Sequence, residues 1–503
     1  MSYCVEWPAT DDDCRRQGIC KLKKNRFRPS WLLVTGASLA SMFGFAGACN
    51  SESKPAPLEP SVVAFQDAAV PPPAGYEGRV FKLSADYPAE KPGACDTSVC
   101  KWLGIDVDFG DGTKAPDYKD AKWGAYMDAI LEYAKAGQDP SLANDAGIRA
   151  EVDGKTRWFH VPWMAMDIKT GRDFIHGTTN ERTASIGDFV GDDGGNGVND
   201  IAGETAACEP EWAKGFETWA VGVYNEYGGW VFGQAFGTGT DNSGIPQVDA
   251  DGQRQLLRGL PFPEGTLVAK FLTTNAPVEC VPYLKGSPEW QIHRHVRESD
   301  GRYGCAREVQ TSRLLQIDVA VVDARSPTRW VYGTFTYDGN RPGNTVWERL
   351  VAVGVEWGAD PKAFPAVKDK SVPLSQSVIN PDLKTFQHLG CNGRMNGPID
   401  AETSACTACH AGGFSPPVGT PAELGTNMPP LFGFANRCTP ETDAEWKENA
   451  LHFANAPYPA PPADPKYATN IPLDTSLQLF VALDQHARFM KNGASDACTL
   501  DAN

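Results

Sequence analysis

The chain has 503 residues, 41% of them hydrophobic, and 63 Asp and Glu against 46 Lys and Arg give it a formal net charge of −17. Such an acidic balance excludes a nucleic-acid binder, whose phosphate contacts need a basic face. The length allows two or three domains, and the 14 cysteines call for placement in disulfides or in chemistry.

Lys21, Lys23, Lys24, Arg26 and Arg28 precede an uncharged apolar run from Trp31 to Ala48 that ends in small residues before Cys49. This is the order of an export signal; a retained membrane span is the alternative at this length. Ala46-Gly47-Ala48-Cys49 resembles a bacterial lipoprotein processing site, although that family usually has Leu where this chain has Ala46. The resemblance implies that Cys49 is lipidated as the first mature residue, and Asn50 in place of aspartate implies outer-membrane sorting. Residues 1–48 are therefore expected to be a leader, although residues 1–20, with Cys4, Cys14 and Cys20 among acidic residues, are unlike a signal peptide. Residues 49–78, rich in Pro and Ala, read as a disordered tether between a membrane anchor and the folded body. The leader is basic, so the part that follows is more acidic still, which would steer a basic partner.

Residues 79–370 read as a β-rich domain, a sandwich or open barrel. One helix is expected early, where Trp123, Met127, Ile130, Leu131 and Ala134 share a face and Gly137 supplies the C-terminal stop. Trp219 to Phe236 suggests a hairpin turning near Tyr227-Gly228-Gly229, and Thr266 to Thr273 a strand after the turn Pro263-Glu264-Gly265. Alternation of Leu315, Ile317, Val319 and Val321 with Gln316, Asp318 and Ala320 predicts a half-buried strand. Trp330 to Tyr337 and Leu350 to Trp357 continue the pattern.

Residues 371–503 differ in character. A Gly/Pro-rich region holds Cys406-Thr407-Ala408-Cys409-His410, followed by an expected helix near Asp443 to Ala454, a Pro-rich crossing from Pro457 to Pro472 and a last helix from Asp474 to Met490. In that last helix Leu477, Phe480, Leu483, Ala487 and Met490 share a face. Cys-x-x-Cys-His is the spacing at which two thiols can bond the vinyl groups of a haem while the histidine ligates its iron. A coincidental cluster or half of a zinc site is the alternative, and no second Cys or His pair nearby completes four ligands. A covalent haem among short helices closed by a C-terminal helix resembles the small c-type cytochrome domain. The whole is then α+β, a β-rich domain followed by a mostly helical haem domain.

The resemblance implies one haem c, attached through Cys406 and Cys409 with His410 as proximal ligand. Asn427-Met428-Pro429-Pro430 is similar to the methionine loop of electron-transferring members and implies Met428 as the second axial ligand, although it follows His410 more closely than is usual. Met395, His388, His452, His486 and Met490 are its competitors. A second resemblance rests on Phe262 to Lys270, then Trp330 to Phe335, then the late Cys-x-x-Cys-His. It is to the β-fold mono-haem cytochromes that oxidise hydroxylamine, and it implies a haem cross-linked to Lys270 with an open distal side; the bland alternative is an exposed strand lysine. This chain departs in its greater length and in the long gap between Trp330 and Cys406.

Setting aside the leader, lipid and haem cysteines leaves Cys95, Cys100, Cys208, Cys280, Cys305, Cys391, Cys438 and Cys498. The even remainder fits disulfides in an oxidising compartment, and local separation suggests Cys95 with Cys100 and Cys280 with Cys305. His293 with His295, His160 and His176 are weak metal candidates, and the Asp/Gly stretches 106–111 and 187–200 read as solvated turns rather than calcium loops. The sequence thus favours an exported, lipid-anchored electron-transfer cytochrome of the periplasm or outer membrane, working with a redox partner protein. The alternatives are a haem enzyme or binder of small nitrogen ligands, and a surface binding lipoprotein whose haem is accessory.

Overall fold

In the computed structural model the apolar runs of the middle of the chain pair into one nine-stranded antiparallel sheet. The structure describes residues 57, 59, 63–65, 76, 83–140, 142, 148–167, 171–172, 179–181, 184, 216–239, 243–247, 261–297, 303–363, 372–383, 389–400, 403–415, 442–455, 465, 468–493, 495 and 498. The expected leader, Cys49, most of the tether, Cys208, Cys438, His176, His388, the stretch 187–200 and Met428 lie outside them. The strands are β1 (Phe159–His160), β2 (Thr179–Asn180), β3 (Thr218–Tyr224), β4 (Leu267–Thr274), β5 (Glu289–Arg297), β6 (Tyr303–Val322), β7 (Trp330–Tyr337), β8 (Leu350–Glu356) and β9 (Ser377–Ile379). Their order is β9-β8-β7-β6-β4-β3-β1, with β2 also paired to β3 and β5 to the first half of β6. The edge strand β9 comes from beyond residue 370, so backbone pairing crosses the division expected there.

The sheet is covered on both faces, which corrects the half-buried reading of Leu315 to Val321. Ile317, Val319 and Val321 face a core shared with helix α1 (Trp123–Lys135). Ala320 and Val322 face a second core shared with helix α2 (Glu226–Phe236) and the last helix. Burial on both sides is why Gln316, placed by alternation on a wet face, is fully buried. Helix α1 forms as its apolar spacing requires and ends at Gly137, whose φ of 74° is the left-handed stop expected there. It packs tightly because β7 carries Gly333, where a Cβ would lie 2.6 Å from Met127 Cε.

Two sequence expectations give way here. Trp219 to Phe236 is no hairpin: β3 ends at Tyr224, and Asn225 then caps α2 by accepting from Gly228 N at 3.5 Å and also from Leu267 N at 3.1 Å. Gly228 and Gly229 serve close packing rather than a turn, since a Cβ at either would come within 2.5 Å of Tyr224 or 2.6 Å of Phe159. The last helix begins at Leu477 rather than Asp474, because Asp474 and Thr475 have φ of 49° and 62°.

The C-terminal part adds α3 (Cys406–His410), a short ladder of β10 (Phe414–Ser415) with β11 (Ile471–Pro472), α4 (Asp443–His452) and α5 (Leu477–Lys491). The first half of α5 is buried all round, from Leu477 to Leu483, whereas Met490, expected inside, is 49% exposed. Asp474 anchors the start of α5 to the sheet by accepting from Phe262 N, Arg329 Nη1 and Trp330 Nε1 at 2.8 to 3.2 Å. From residue 58 onward the described residues form one compact unit. Cys95 is bonded to Cys100 as expected, but Cys305 is bonded to Cys498, not to Cys280. Cys280 and Cys391 are each in a disulfide as well.

Candidate functional site

Helix α3 is five residues long, too short to hold itself. Its surroundings hold it. Thr407 N donates to the carboxylate of Glu356, at the end of β8, at 3.1 Å. Beside it the buried guanidinium of Arg394 donates to the carbonyls of Ala359, Cys391 and Asp360 and lies over the ring of Phe453. A single turn puts Cys406 and Cys409, and Cys406 and His410, at spacings that share one side of the helix. Neither cysteine is in a disulfide. Burial pushes the Cys406 thiol well above its ordinary range, and Glu356 adds to the effect.

His410 is buried, and its Nδ1 lies 3.0 Å from the carbonyl oxygen of Thr475. A carbonyl only accepts, so Nδ1 carries the hydrogen and the lone pair is on Nε2, the tautomer a metal ligand needs. Burial holds the imidazole neutral, with its pKa lowered to about 3. Thr475, a β-branched residue in the left-handed region, is kept there partly by its hydroxyl, 2.8 Å from Tyr332 Oη. The Tyr332 ring lies 4.6 Å from that of His410. The backbone carbonyl that orients the imidazole is thus fixed through the sheet.

The face of the sheet that carries Tyr332 is organised in rows. Register places Tyr224, Val268, Ala320, Tyr332 and Glu356 side by side, and in the next row Gly222, Lys270, Asp318, Thr334 and Gly354. Lys270, for which exposure was the bland expectation, is 2% exposed and pairs with Glu181 at 2.9 Å. It is near enough to act on the charge of His410. Asp318 accepts from Thr334 Oγ1 and Gln316 Nε2; burial, then Asp400, pushes its carboxyl up to about 6. Burial pushes Glu356 up to about 8. Two buried atoms on this face, Glu356 Oε2 and Gln478 Oε1, have no hydrogen-bond partner among the described residues. Gln478 lies over Gly222, where a Cβ would come 1.8 Å from its Nε2.

Two thiols outside any disulfide, three residues apart on one helical turn, and an imidazole with Nε2 available are a donor set that could hold a covalent haem, so the residues present fit that group. Of the other candidates, Met395 is fully buried in the core, His452 belongs to the surroundings of Cys409, and His486 packs on Trp163. His160 and His295 are buried, each with Nδ1 against a backbone carbonyl, of Gly222 and of Gly304. Among the described residues no three His, Cys, Asp or Glu are grouped to hold a metal ion. Asp108 and Asp111 accept from Gly110 N and Thr113 N in exposed turns. Sequence reasoning gave no role to Thr475, Tyr332, Glu356 or Asp318, although Tyr332 lies within the Trp330 to Phe335 segment that carried a resemblance. In comparisons with known proteins, no family model, no curated protein and no solved structure matches the chain.

Proposed function

We propose that this chain is a mono-haem c protein, attached through Cys406 and Cys409 and ligated by His410, that performs redox chemistry on a small ligand. The observation that carries the haem reading is the tautomer of His410, set by the Thr475 carbonyl beside two thiols outside any disulfide. When bound, the haem supplies a one-electron iron couple. The chain's own residues do the rest. Tyr332 and Thr475 orient His410, and burial keeps water from its ring. Asp318, Glu356 and the Lys270–Glu181 pair are buried groups that can hold or move a proton beside the site. Such buried proton-holding groups suit chemistry on a bound ligand, which is the reason for reading an open distal side. Lys270 buried within electrostatic reach of His410 also supports the resemblance to the lysine-linked β-fold cytochromes.

Simple electron transfer with Met428 as second ligand is the other reading; the prolines around Met428 favour it. In both readings Cys49 carries a lipid anchor, the protein works in the periplasm or at the outer membrane, and its acidic surface suits a basic redox partner. The test is expression in a host that exports and matures c-type haem proteins. One covalent haem per chain, lost in Cys406→Ala/Cys409→Ala, is expected. Ready binding of carbon monoxide by the ferrous form supports the open distal side. A low-spin ferric form with a methionine-to-iron charge-transfer band, abolished by Met428→Ala, would instead establish electron transfer alone.

A further inference from the structure

We propose that Tyr332 and Trp330 form a two-ring relay that carries electrons to the haem when hydrogen peroxide has oxidised it. The inference rests on the haem reading above and gives that site a further activity, the reduction of a peroxide by one-electron donors. Tyr332 lies against the imidazole of His410, with ring centroids 4.6 Å apart, and Trp330 stacks beside Tyr332 at 6.2 Å with an interplanar angle of 18°. The two residues are two apart on β7, so they share one face of the sheet. Rings at such separations occur in any aromatic core, so spacing alone assigns nothing. Their partners do.

Trp330 Nε1 donates to Asp474 Oδ1 at 3.2 Å, and the same carboxylate accepts from Arg329 Nη1 and Phe262 N. An indole that has lost an electron is strongly acidic at its N–H, and Asp474 is placed to take that proton. Beyond Trp330 comes the ring of Phe262, at 5.6 Å. A phenyl ring is far harder to oxidise than an indole or a phenol, so the relay ends at Trp330. The indole is buried, but the side chain of Arg329 is 27% exposed, and only the Arg329–Asp474 pair separates Trp330 from a donor docked there.

Reduction of one peroxide to two waters takes two electrons and two protons. In each of two steps the indole gives one electron, by way of the Tyr332 ring, to the haem and its N–H proton to Asp474. A phenol then supplies the electron that restores the indole, and Asp474 hands the proton back. The phenol leaves as a phenoxyl radical, and its proton goes to the water that provides the protons of the product. Two phenols are oxidised per peroxide, and atoms and electrons balance.

The test mixes ferric, exported and matured wild type, Trp330→Phe, Trp330→Tyr and Tyr332→Phe with hydrogen peroxide in the absence of a donor, and reads freeze-quenched samples by electron paramagnetic resonance. Wild type is expected to show a protein radical whose signal narrows when its tryptophans are ring-deuterated. Trp330→Phe is expected to lose that signal and to bleach its haem faster under excess peroxide. Trp330→Tyr, which keeps an oxidisable ring, should give a tyrosyl signal instead, and Tyr332→Phe a lower yield of the indole radical. A signal of wild-type size in Trp330→Phe, a wild-type signal indifferent to deuteration, or haem-loaded wild type with no protein radical would each overturn the proposal. Should Trp330→Phe carry no haem, peptide mass spectrometry of peroxide-treated wild type decides: oxygen added at Trp330 upholds the relay, and an unmodified Trp330 overturns it. Wild type without haem would instead refute the haem reading itself.

Discussion

His410 shows how folding fixes the state of a single side chain: the Thr475 carbonyl settles which nitrogen holds the hydrogen, and burial keeps the ring neutral. The ionisable residues near it stand under strain of another kind, charge without water. Lys270 and Glu181 are both buried, so removing one partner leaves the other uncompensated. Lys270→Met is expected to cost about 3–5 kcal/mol, and adding Glu181→Leu to recover much of it, as read by denaturant unfolding. Glu356 makes stability depend on pH. Its carboxyl ionises at 4.5 in the ordinary case and at about 8 in the folded chain, so between those values the folded state holds the extra proton. Stability then falls as pH rises, with a slope approaching about 1.4 kcal/mol per pH unit. Asp318, raised from 3.8 to about 6, acts in the same direction over its own window. Unfolding curves for Glu356→Gln, which keeps an acceptor for Thr407 N, should show a shallower fall; an unchanged slope would place the titration elsewhere.

The helices around the site depend on their ends and on close contacts more than on propensity. Helix α4, which carries His452, is held at its start by a capping box in which Thr442 Oγ1 accepts from Glu445 N and Glu445 Oε2 from Thr442 N. Thr442→Ala should lower stability by about 0.5–2 kcal/mol in thermal unfolding, with the loss confined to one exposed cap. In α2, alanine at Gly229 would improve helix propensity by about 1 kcal/mol. Its Cβ, however, would lie 2.6 Å from the Phe159 ring. Overpacking should win, so Gly229→Ala is expected to destabilise by about 1–3 kcal/mol; a stabilised variant would mean that β1 yields at no cost.

Across the whole molecule the C-terminal part is tied to the sheet by backbone, charge and covalent bonds. β9 extends the sheet, Asp474 binds Arg329 and the Trp330 indole, and Cys498 bonds Cys305 at the start of β6 across a separation of 193 residues. A cross-link closing so long a loop removes much of the freedom of the unfolded chain. Cys498→Ser is expected to cost about 2–4 kcal/mol, seen as a lowered denaturant midpoint. Loss of the disulfide with no change in midpoint would show that β9 and Asp474 suffice to hold α5 in place.

Local signals were enough for much of this. The Cys-x-x-Cys-His spacing, the apolar face and glycine stop of α1, the β-rich middle and the Cys95–Cys100 bond all depend on residues a few positions apart, which neighbouring side chains reveal. What depends on distant partners was not legible. Gly228 and Gly229 read as a turn because the tyrosine and phenylalanine they approach are invisible in a local window. Asp318 read as solvent-facing because alternation reports two faces and not what covers the second. Cys305 found Cys498 only because β6 and the C-terminal end meet in space. By itself the sequence determined the chemistry the motif can support. The tertiary structure alone decided which proton His410 keeps and which buried ionisable groups stand beside it, because each is a relation between groups that folding brings together.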